Sequence, residues 1–475
     1  MRWSIAIVLC LVPVLGSAQE SRLRADFRRE SERVRDACSG FSFKKLPGCA
    51  IELFTDHPSH IAAGSMPPQN GFGLGGAFVT SKNTQNWRLS WDVDAVGAAS
   101  GSWRAGGYMK IVHTPPAAIT PVVPVSGQDS NGPSGRKLRK PIPAVHPYTL
   151  VNLYAQSISL NKLNFFGAGN DTTLAGSSVF GMSETIVGGS VIKPVFEWPA
   201  IRQLNLALLG EVNGRFVSIR GETGQSAPSI GDVYTNATAP GLSNQPGVLQ
   251  FGEGLRIKPA IGNHFALNYR GSFQQFLARS DSHYSFLRWT ADLDHTFALY
   301  GQSQSAPVSV ETNGPDECGP PTENCPSVVH SRNRNGSLGV RLLLSESITS
   351  AASAVPFYFQ PTLGGTDIDG VPSLTSYRDY RFRAPNLLLL SESFEHSFWG
   401  PVGFTLSADQ GKVAVRRSDM GFDHLKHSFT AGVTLRAGGF PMVYLLFAWG
   451  GAEGRHTVFN MNTSLLGGSA RPSLY

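Results

Sequence analysis

Regular alternation of apolar and polar residues is the feature of this sequence that most constrains its fold. In residues 87–95, WRLSWDVDA, every odd position is apolar and every even position is polar or charged. Residues 428–437, SFTAGVTLRA, and residues 402–409, VGFTLSAD, alternate in the same way. Period-two patterning predicts β-strands with one apolar face and one polar face. Similar segments recur along most of the chain, so the predicted fold class is all-β.

Strands of a soluble sandwich also alternate, and further properties favour a membrane barrel. The predicted strands reach about ten residues or more, which is the length that a tilted strand needs to cross a bilayer. Tryptophans fall at strand ends, as at Trp87, Trp103, Trp399 and Trp449, which is typical of an interfacial girdle. Charged residues make up only 16% of the chain, against roughly 25% in ordinary soluble domains. These properties predict a transmembrane antiparallel β-barrel.

Sixteen strands are predicted, and an even number returns both ends of the barrel to the periplasm. The predicted ranges are 60–66, 71–82, 87–97, 103–114, 148–166, 178–195, 204–222, 249–260, 264–278, 284–300, 336–350, 386–398, 402–414, 427–438, 440–450 and 456–466. This count puts the long segments 115–147 and 301–335 on the periplasmic side, where turns are usually short. Either these segments are inserts, or the count is locally wrong.

The predicted organisation begins with an exported N-terminus. Residues 1–18 combine Arg2, an apolar run and a small-residue site at Gly16-Ser17-Ala18, which predicts a secretory signal peptide. Residues 19–59 are then a short periplasmic segment, predicted to be helical over its charged stretch 19–37. That helix is either solvated, or it plugs the lumen or docks a partner. The barrel covers residues 60–466, and residues 467–475 form a C-terminal tail.

Four cysteines lie outside the signal peptide, in two pairs that are close in sequence. Cys38 precedes Cys49, and Cys318 precedes Cys325. Even pairing in an exported chain predicts two disulfides. A zinc site is the weaker alternative, because the chain has no CxxC and no histidine at ligand spacing from either pair.

Four stretches together resemble one family, the outer-membrane barrel-assembly and surface-antigen proteins of the BamA/TamA type. FFGAGNDT (165–172) is similar to a loop motif of that family, and VPFYFQPTLGG (355–365) is similar to the opening of its sixth outer loop. LTSYRDYRFRAPNLLLLSESF (374–394) looks like the tip of that loop followed by strand twelve, and SADQGKV (407–413) is similar to strand thirteen. The motifs occur in the family's order, and the resemblance covers most of residues 60–466.

The resemblance implies a lock on the sixth outer loop, called loop six below. In the family, an arginine at the loop tip pairs inside the lumen with carboxylates on strands twelve and thirteen. A bidentate arginine between two acids would fix a long loop inside the barrel. Here Thr375 and Ser376 replace the family's arginine and glycine, so Arg378 is the expected replacement, with Arg381 and Arg383 further along. The expected lock residues are Gly364, Gly365, Tyr377, Arg378, Glu392, Asp409 and Gly411. The alternative is that Asp409 is a lumen carboxylate with solvent or another partner.

The function that the resemblance implies is insertion or translocation of polypeptides through a seam between the first and last strands. The expected partners are outer-membrane lipid, unfolded outer-membrane or exported polypeptides, and a periplasmic partner protein. Because the family's periplasmic domains do not fit into 19–59, a passive pore or a structural surface barrel is the alternative.

Other functions are not expected. The net charge of +6 is small for this length, so no nucleic-acid partner is predicted. The chain has no GxSxG or HExxH motif, so neither an enzyme nor a cofactor or metal is predicted. The aspartate pairs at 92/94 and 292/294 lie beside Arg88 and Arg288, which predicts ion pairing on the lumen face rather than catalysis.

Overall fold

The structure is a computed structural model, and part of the chain is described in it. The described residues are 28, 32, 35, 58–113, 149–195, 204–221, 227–259, 265–308, 328–399, 402–437, 440–461 and 473–474. The chain divides into two compact units, Met1–His60 and Ile61–Tyr475. In the first unit, Arg28, Glu32 and Arg35 are helical and exposed. The signal peptide, segment 115–147 and the pairs Cys38/Cys49 and Cys318/Cys325 lie outside the described residues, so these predictions stay predictions.

Sixteen strands form one sheet in chain order, and two short strands within loop six pair with each other apart from it. The strands of the sheet are β1 (Ser59–Ser65), β2 (Phe72–Asn83), β3 (Trp87–Ala98), β4 (Trp103–His113), β5 (Leu150–Phe165), β6 (Ser178–Pro194), β7 (Ala207–Gly221), β8 (Val248–Ile257), β9 (Phe265–Ala278), β10 (Phe286–Val308), β11 (Val328–Ile348), β14 (Asn386–Trp399), β15 (Val402–Ala414), β16 (Lys426–Ala437), β17 (Phe440–Gly451) and β18 (Gly454–Met461). The separate pair is β12 (Thr362–Leu363) and β13 (Phe382–Arg383). The helical elements are α1 (Ile230–Val233) and the 3-10 turns Leu174–Gly176, Ser282–Tyr284, Phe357–Phe359 and Arg417–Asp419.

Each predicted strand corresponds to an observed strand, and the largest difference lies around 301–335. Strand β10 continues to Val308, and β11 begins at Val328. The two strands pair from Leu287 opposite Ile348 to Val308 opposite Val328. The strand count is therefore confirmed, and the prediction of a long loop over the whole of 301–335 is wrong, because both of its ends extend a hairpin.

Burial along β7 is the reverse of that in a soluble protein. Leu208, Val212 and Phe216 are 49%, 46% and 55% exposed, whereas Glu211 and Arg215 are each only 6% exposed. The apolar face therefore points outward and the charged face points inward. A barrel in lipid needs this arrangement, because its outer surface meets hydrocarbon and its lumen is polar.

The sheet curls into a barrel, because a single loop contacts connections that are far apart in the strand order. Loop six, residues 349–385, joins β11 to β14. Its residue Arg381 contacts Thr172 between β5 and β6, and it also contacts Glu453 between β17 and β18. The predicted fold class, an all-β antiparallel barrel of about sixteen strands, is confirmed. No helix within the described ranges is both long enough and apolar enough to cross a membrane.

An apolar core lies inside one end of the barrel, where aromatic side chains of loop six meet the strand ends. The ring of Phe357 lies 5.3 Å from that of Phe165 and 5.2 Å from that of Phe180. The ring of Phe359 lies 5.6 Å from that of Phe276. These wall residues sit next to the connections 166–177 and 279–285, so the core places loop six across this opening.

Candidate functional site

The tip of loop six, residues 374–377, is hydrogen-bonded to the inner wall of the barrel. The backbone N–H of Leu374 donates to Asp409 Oδ2 on β15 at 3.0 Å. The backbone N–H of Ser376 donates to Ser428 Oγ on β16 at 2.9 Å. Both wall groups are buried, so the two bonds replace water that these polar atoms would otherwise bind. The tip is therefore attached through its backbone.

Asp409 is held by neighbours on both sides of its own strand. It is only 6% exposed, and its register partners are Ser391 on β14 and Ser428 on β16. The Ser391 side chain is a hydrogen-bond partner of its carboxylate, in addition to the Leu374 amide. Leu374 has a φ of 46°, a left-handed conformation that L-residues adopt only at a cost. A buried carboxylate needs such donors, because removing its water without them is expensive.

Two further contacts fix the residues that follow Leu374. The side-chain hydroxyls of Thr375 and Thr430 are hydrogen-bonded to each other, and both are buried. The ring of Tyr377 packs edge-on against Phe382 at 5.0 Å, and its hydroxyl accepts from the N–H of Ala452 at 3.4 Å. The tip thus contacts β15, β16 and the turn between β17 and β18.

Arg381 is an arginine of loop six that contacts other connections of the barrel. Its guanidinium forms an ion pair with Glu453, and both side chains are less than a tenth exposed. It also donates to Oγ1 and to the carbonyl oxygen of Thr172, both at 2.6 Å. The guanidinium lies over the rings of Phe166 at 5.0 Å and Phe382 at 4.7 Å. One side chain therefore joins loop six to two other connections of the barrel.

The first motif, residues 165–172, meets loop six through its backbone as well. The N–H of Gly169 donates to the carbonyl oxygen of Arg383 at 2.8 Å. Arg383 in turn donates from Nη1 to the carbonyl oxygen of Phe357 at 2.7 Å. The four stretches that carry the family resemblance, which are distant in sequence, are therefore in contact around loop six.

The predicted glycines are needed where the loop approaches other backbone closely. Gly364 and Gly365 have φ values of 102° and 64°. A Cβ at Gly365 would lie 2.3 Å from Asp379 Oδ1, and one at Gly364 would lie 2.8 Å from the carbonyl oxygen of Arg378. A Cβ at Gly411 would lie 2.9 Å from a backbone oxygen of β14 and 3.0 Å from Leu363 in β12. Only glycine fits these positions without displacement.

Two residues of the predicted lock, Glu392 and Arg378, were expected to meet at Asp409, and the structure does not bring them together there. Glu392 is exposed, and its register partner on β15 is Ala408, so it lies on the opposite face of the sheet from Asp409. Arg378 is also exposed, and its backbone N–H donates to Glu453 Oε2 at 3.2 Å. An arginine bridge between Glu392 and Asp409 is therefore wrong. The physical reason is the two-residue period of β14, which turns Glu392 outward.

Ion pairs do line the lumen, but between different residues than predicted. Asp94 pairs with Arg104 on the next strand at 2.6 Å, and both side chains are buried. Asp292 receives Arg270 at 3.1 Å and Arg341 at 2.8 Å. Arg288 instead donates to the carbonyl oxygen of Phe359 and to Ser347, beneath loop six. The partners come from neighbouring strands because cross-strand residues share a face.

Asp379 adds a partly buried acid to loop six itself. Its Oδ1 accepts from the N–H of Thr366 at 3.0 Å. Burial raises the pKa of this carboxyl, and the hydrogen bonds from Thr366 and Gln69 oppose that rise.

Among the residues that the structure describes, no three His, Cys, Asp or Glu side chains are grouped to hold a metal.

The residues that the sequence-based prediction missed are mainly the partners of the lock. Thr172 lies within the first motif, a stretch that had been singled out, and Arg381 had been named only as a candidate further along the chain than Arg378. Glu453, Ser428 and Thr430 had no such signal, because a single acid in a turn and hydroxyls on a lumen face are common in barrels. Only the folded barrel shows that they meet loop six.

Comparison with known proteins gives matches only among solved structures. The sequence matches no family model and no curated protein. The chain is similar to CdiB from Acinetobacter baumannii at 11% identity and a TM-score of 0.45, over 85% of this chain and 59% of that one. It is similar to CdiB from Escherichia coli at 10% identity and a TM-score of 0.45, over 86% and 60% of the two chains.

A third match is BamA from Haemophilus ducreyi lacking POTRA domains 1-3. Its identity is 8% and its TM-score is 0.41, over 85% of this chain and 68% of that one. The present chain spans about three fifths of the length of the two CdiB chains, at 59% and 60%.

Proposed function

We propose that this protein is an outer-membrane β-barrel of the BamA/TamA type that inserts or translocates polypeptides at the outer membrane. The outward apolar face and the buried charged face of the strands support a place in a lipid bilayer. The four family-like stretches, which meet around loop six, support this type of barrel. Its partners are outer-membrane lipid, unfolded outer-membrane or exported polypeptides, and a periplasmic partner protein.

The observation that carries the proposal is the shortness of β1, which stands at one end of the sheet order. It has seven residues, whereas its neighbour β2 has twelve. Each backbone hydrogen bond contributes only about 0.5–1.5 kcal/mol net, so a short edge strand forms a weak seam. An edge strand also presents backbone groups that can pair with an incoming strand.

Loop six acts as the brace in this proposal. Arg381 links it to the turn that precedes β18, and Asp409 fixes its tip to β15. The barrel therefore keeps its shape on the side of β15–β17 while the β18 edge moves. A permanently open pore fits less well, because the aromatic core around Phe357 and Phe359 occupies one opening of the barrel.

A photoreactive residue at the seam tests the proposal. Phe459 on β18 is 61% exposed, and Phe404 on β15, in the interior of the sheet order, is 36% exposed. A photoreactive amino acid at 459 should capture exported polypeptides that have lost their signal peptides, identified by mass spectrometry. The same group at 404 should capture lipid alone. Equal capture at both positions, or none at 459, would contradict insertion at this seam.

A further inference from the structure

Leu474, one of the two described residues of the tail, lies against the inner wall of the barrel at β7 and β9. The backbone N–H of Leu474 donates to both carboxylate oxygens of Glu211 on β7, at 3.3 Å each. The carbonyl oxygen of Leu474 accepts from Arg270 Nη1 on β9 at 2.9 Å. Both contacts use the backbone of one residue, with its donor and its acceptor each paired to a charged group of the wall.

The two wall groups are themselves held in place by neighbours. Glu211 accepts hydrogen bonds from the hydroxyl of Tyr154 and from the amide of Asn213, the latter at 3.0 Å. Arg270 also donates to Asp292 at 3.1 Å. Because these partners fix the side chains before a ligand arrives, the wall is pre-organised to bind a peptide group.

The wall beside these residues has further polar atoms available. Arg256, the register partner of Arg270 on β8, has a buried Nε without a hydrogen-bond partner among the described residues. The side-chain oxygens of Asn213 and Asn268 are likewise buried and unpartnered in the described part of the chain. A buried donor or acceptor without a hydrogen-bond partner raises the free energy of the folded protein, so a ligand that pairs with it would be bound more tightly.

We propose that this wall, formed by Glu211, Arg270 and Arg256, is a binding site for an extended polypeptide backbone, and that Leu474 occupies it as an intramolecular plug. Backbone recognition makes the site indifferent to side-chain sequence, as a site for varied polypeptides must be. The plug lies where β7 and β9 begin, at the opposite end of the strands from the aromatic core. Leu474 holds this site until another chain displaces it.

Leu474→Pro tests the plug without altering the wall. Proline has no backbone N–H, so the variant loses the hydrogen bonds to Glu211, whereas Leu474→Ala keeps them and loses only the side chain. In planar lipid bilayers, Leu474→Pro should conduct more than the unchanged protein, and Leu474→Ala should match it. Removal of residues 467–475 should give the same gain as Leu474→Pro. Equal conductance of all four proteins, or an equal gain in both point variants, would overturn the plug.

A peptide added to the bilayer tests the binding site itself. The peptide GGSARPSLY, the sequence of residues 467–475, should lower the conductance of the chain that lacks those residues. The same peptide with proline in place of its leucine should leave the conductance unchanged. Equal effects of the two peptides would contradict backbone recognition at Glu211. These measurements use the purified protein, so they stand whether or not the proposed insertion activity is found.

A photoreactive group at position 474 reports on the resting position of the tail. It should form cross-links to peptides from β5, β7 or β9, which carry Tyr154, Glu211 and Arg270. Cross-links confined to other strands, or to other protein molecules, would overturn the placement of the tail.

Discussion

Arg381→Ala is expected to weaken the barrel more than any other single change in loop six. The variant removes an ion pair in which the two side chains are 6% and 7% exposed, and it leaves Glu453 as a buried charge without that partner. Breaking a buried pair from one side costs about 3–5 kcal/mol. The two bonds to Thr172 are lost at the same time, so the upper part of this range is expected.

The ion pair can be separated from the other contacts by a double-mutant cycle. Glu453→Ala should cost less than Arg381→Ala, because Arg381 would still donate to Thr172. The double variant should be less destabilised than the sum of the single variants, with a coupling of about 0.5–3 kcal/mol for residues in contact. The assay is urea unfolding of the refolded barrel in detergent, followed by tryptophan fluorescence.

Arg378 supplies the matched control, since it is an arginine of the same loop with an exposed side chain. Arg378→Ala should change the free energy of unfolding by no more than about 0.5 kcal/mol, as is usual for surface positions. Equal and small effects of Arg378→Ala and Arg381→Ala, with no coupling between Arg381 and Glu453, would refute the proposed lock.

Three further tests of loop six and its contacts use the same unfolding assay. Asp409→Ala leaves the buried amide of Leu374 without its acceptor and should lower the free energy of unfolding by about 1–3 kcal/mol. Glu392→Ala, on the outward face of the sheet, should lower it by no more than about 0.5 kcal/mol. Equal costs of the two variants would contradict the assigned faces. Gly365→Ala places a Cβ 2.3 Å from Asp379 and should reduce stability. Gly370→Ala should reduce it less, because Gly370 also has a positive φ but has open space around it. The reverse order of the two variants would argue against the close approach at Gly365. Because burial raises the folded-state pKa of Asp379 above its unfolded value, its contribution to stability is present below the unfolded pKa and is lost as pH rises through the folded pKa. Asp379→Asn should therefore flatten the pH dependence of stability from the ordinary aspartate range upward, and an unchanged slope would count against the raised pKa.

The strand positions could be predicted because alternation is a local property of the chain. In a strand with one face toward lipid and one toward a polar lumen, apolar and polar residues alternate, so each strand can be predicted from its own segment of sequence. The extension of β10 to Val308 and of β11 back to Val328 was missed, because the segment 301–335 was assigned to a connection from its position between two predicted strands. Residues 301–308, GQSQSAPV, and residues 328–335, VVHSRNRN, have no regular apolar alternation that would have predicted these strands.

The lock could be predicted only in part, because its contacts join residues that are far apart in sequence. Arg381 is 72 positions from Glu453 and 209 from Thr172, and no local pattern specifies such pairs. Asp409 was expected to pair with an arginine of loop six, with another partner as the alternative, and its partner in the structure is the backbone amide of Leu374 in that loop. Glu392 was a misassignment that the period of β14 could have prevented, since it shares its face with Leu390 and Phe394.

Depletion of this protein in its host, followed by quantification of the outer-membrane proteome, tests the proposed function most directly. If the protein inserts or translocates polypeptides, several other outer-membrane barrels or exported proteins should fall together, and the unchanged chain supplied from a plasmid should restore them. The Arg381→Ala chain should restore them less well, because its loop six no longer braces the barrel. Loss of this protein alone, with every other outer-membrane protein unchanged, would contradict the proposed function.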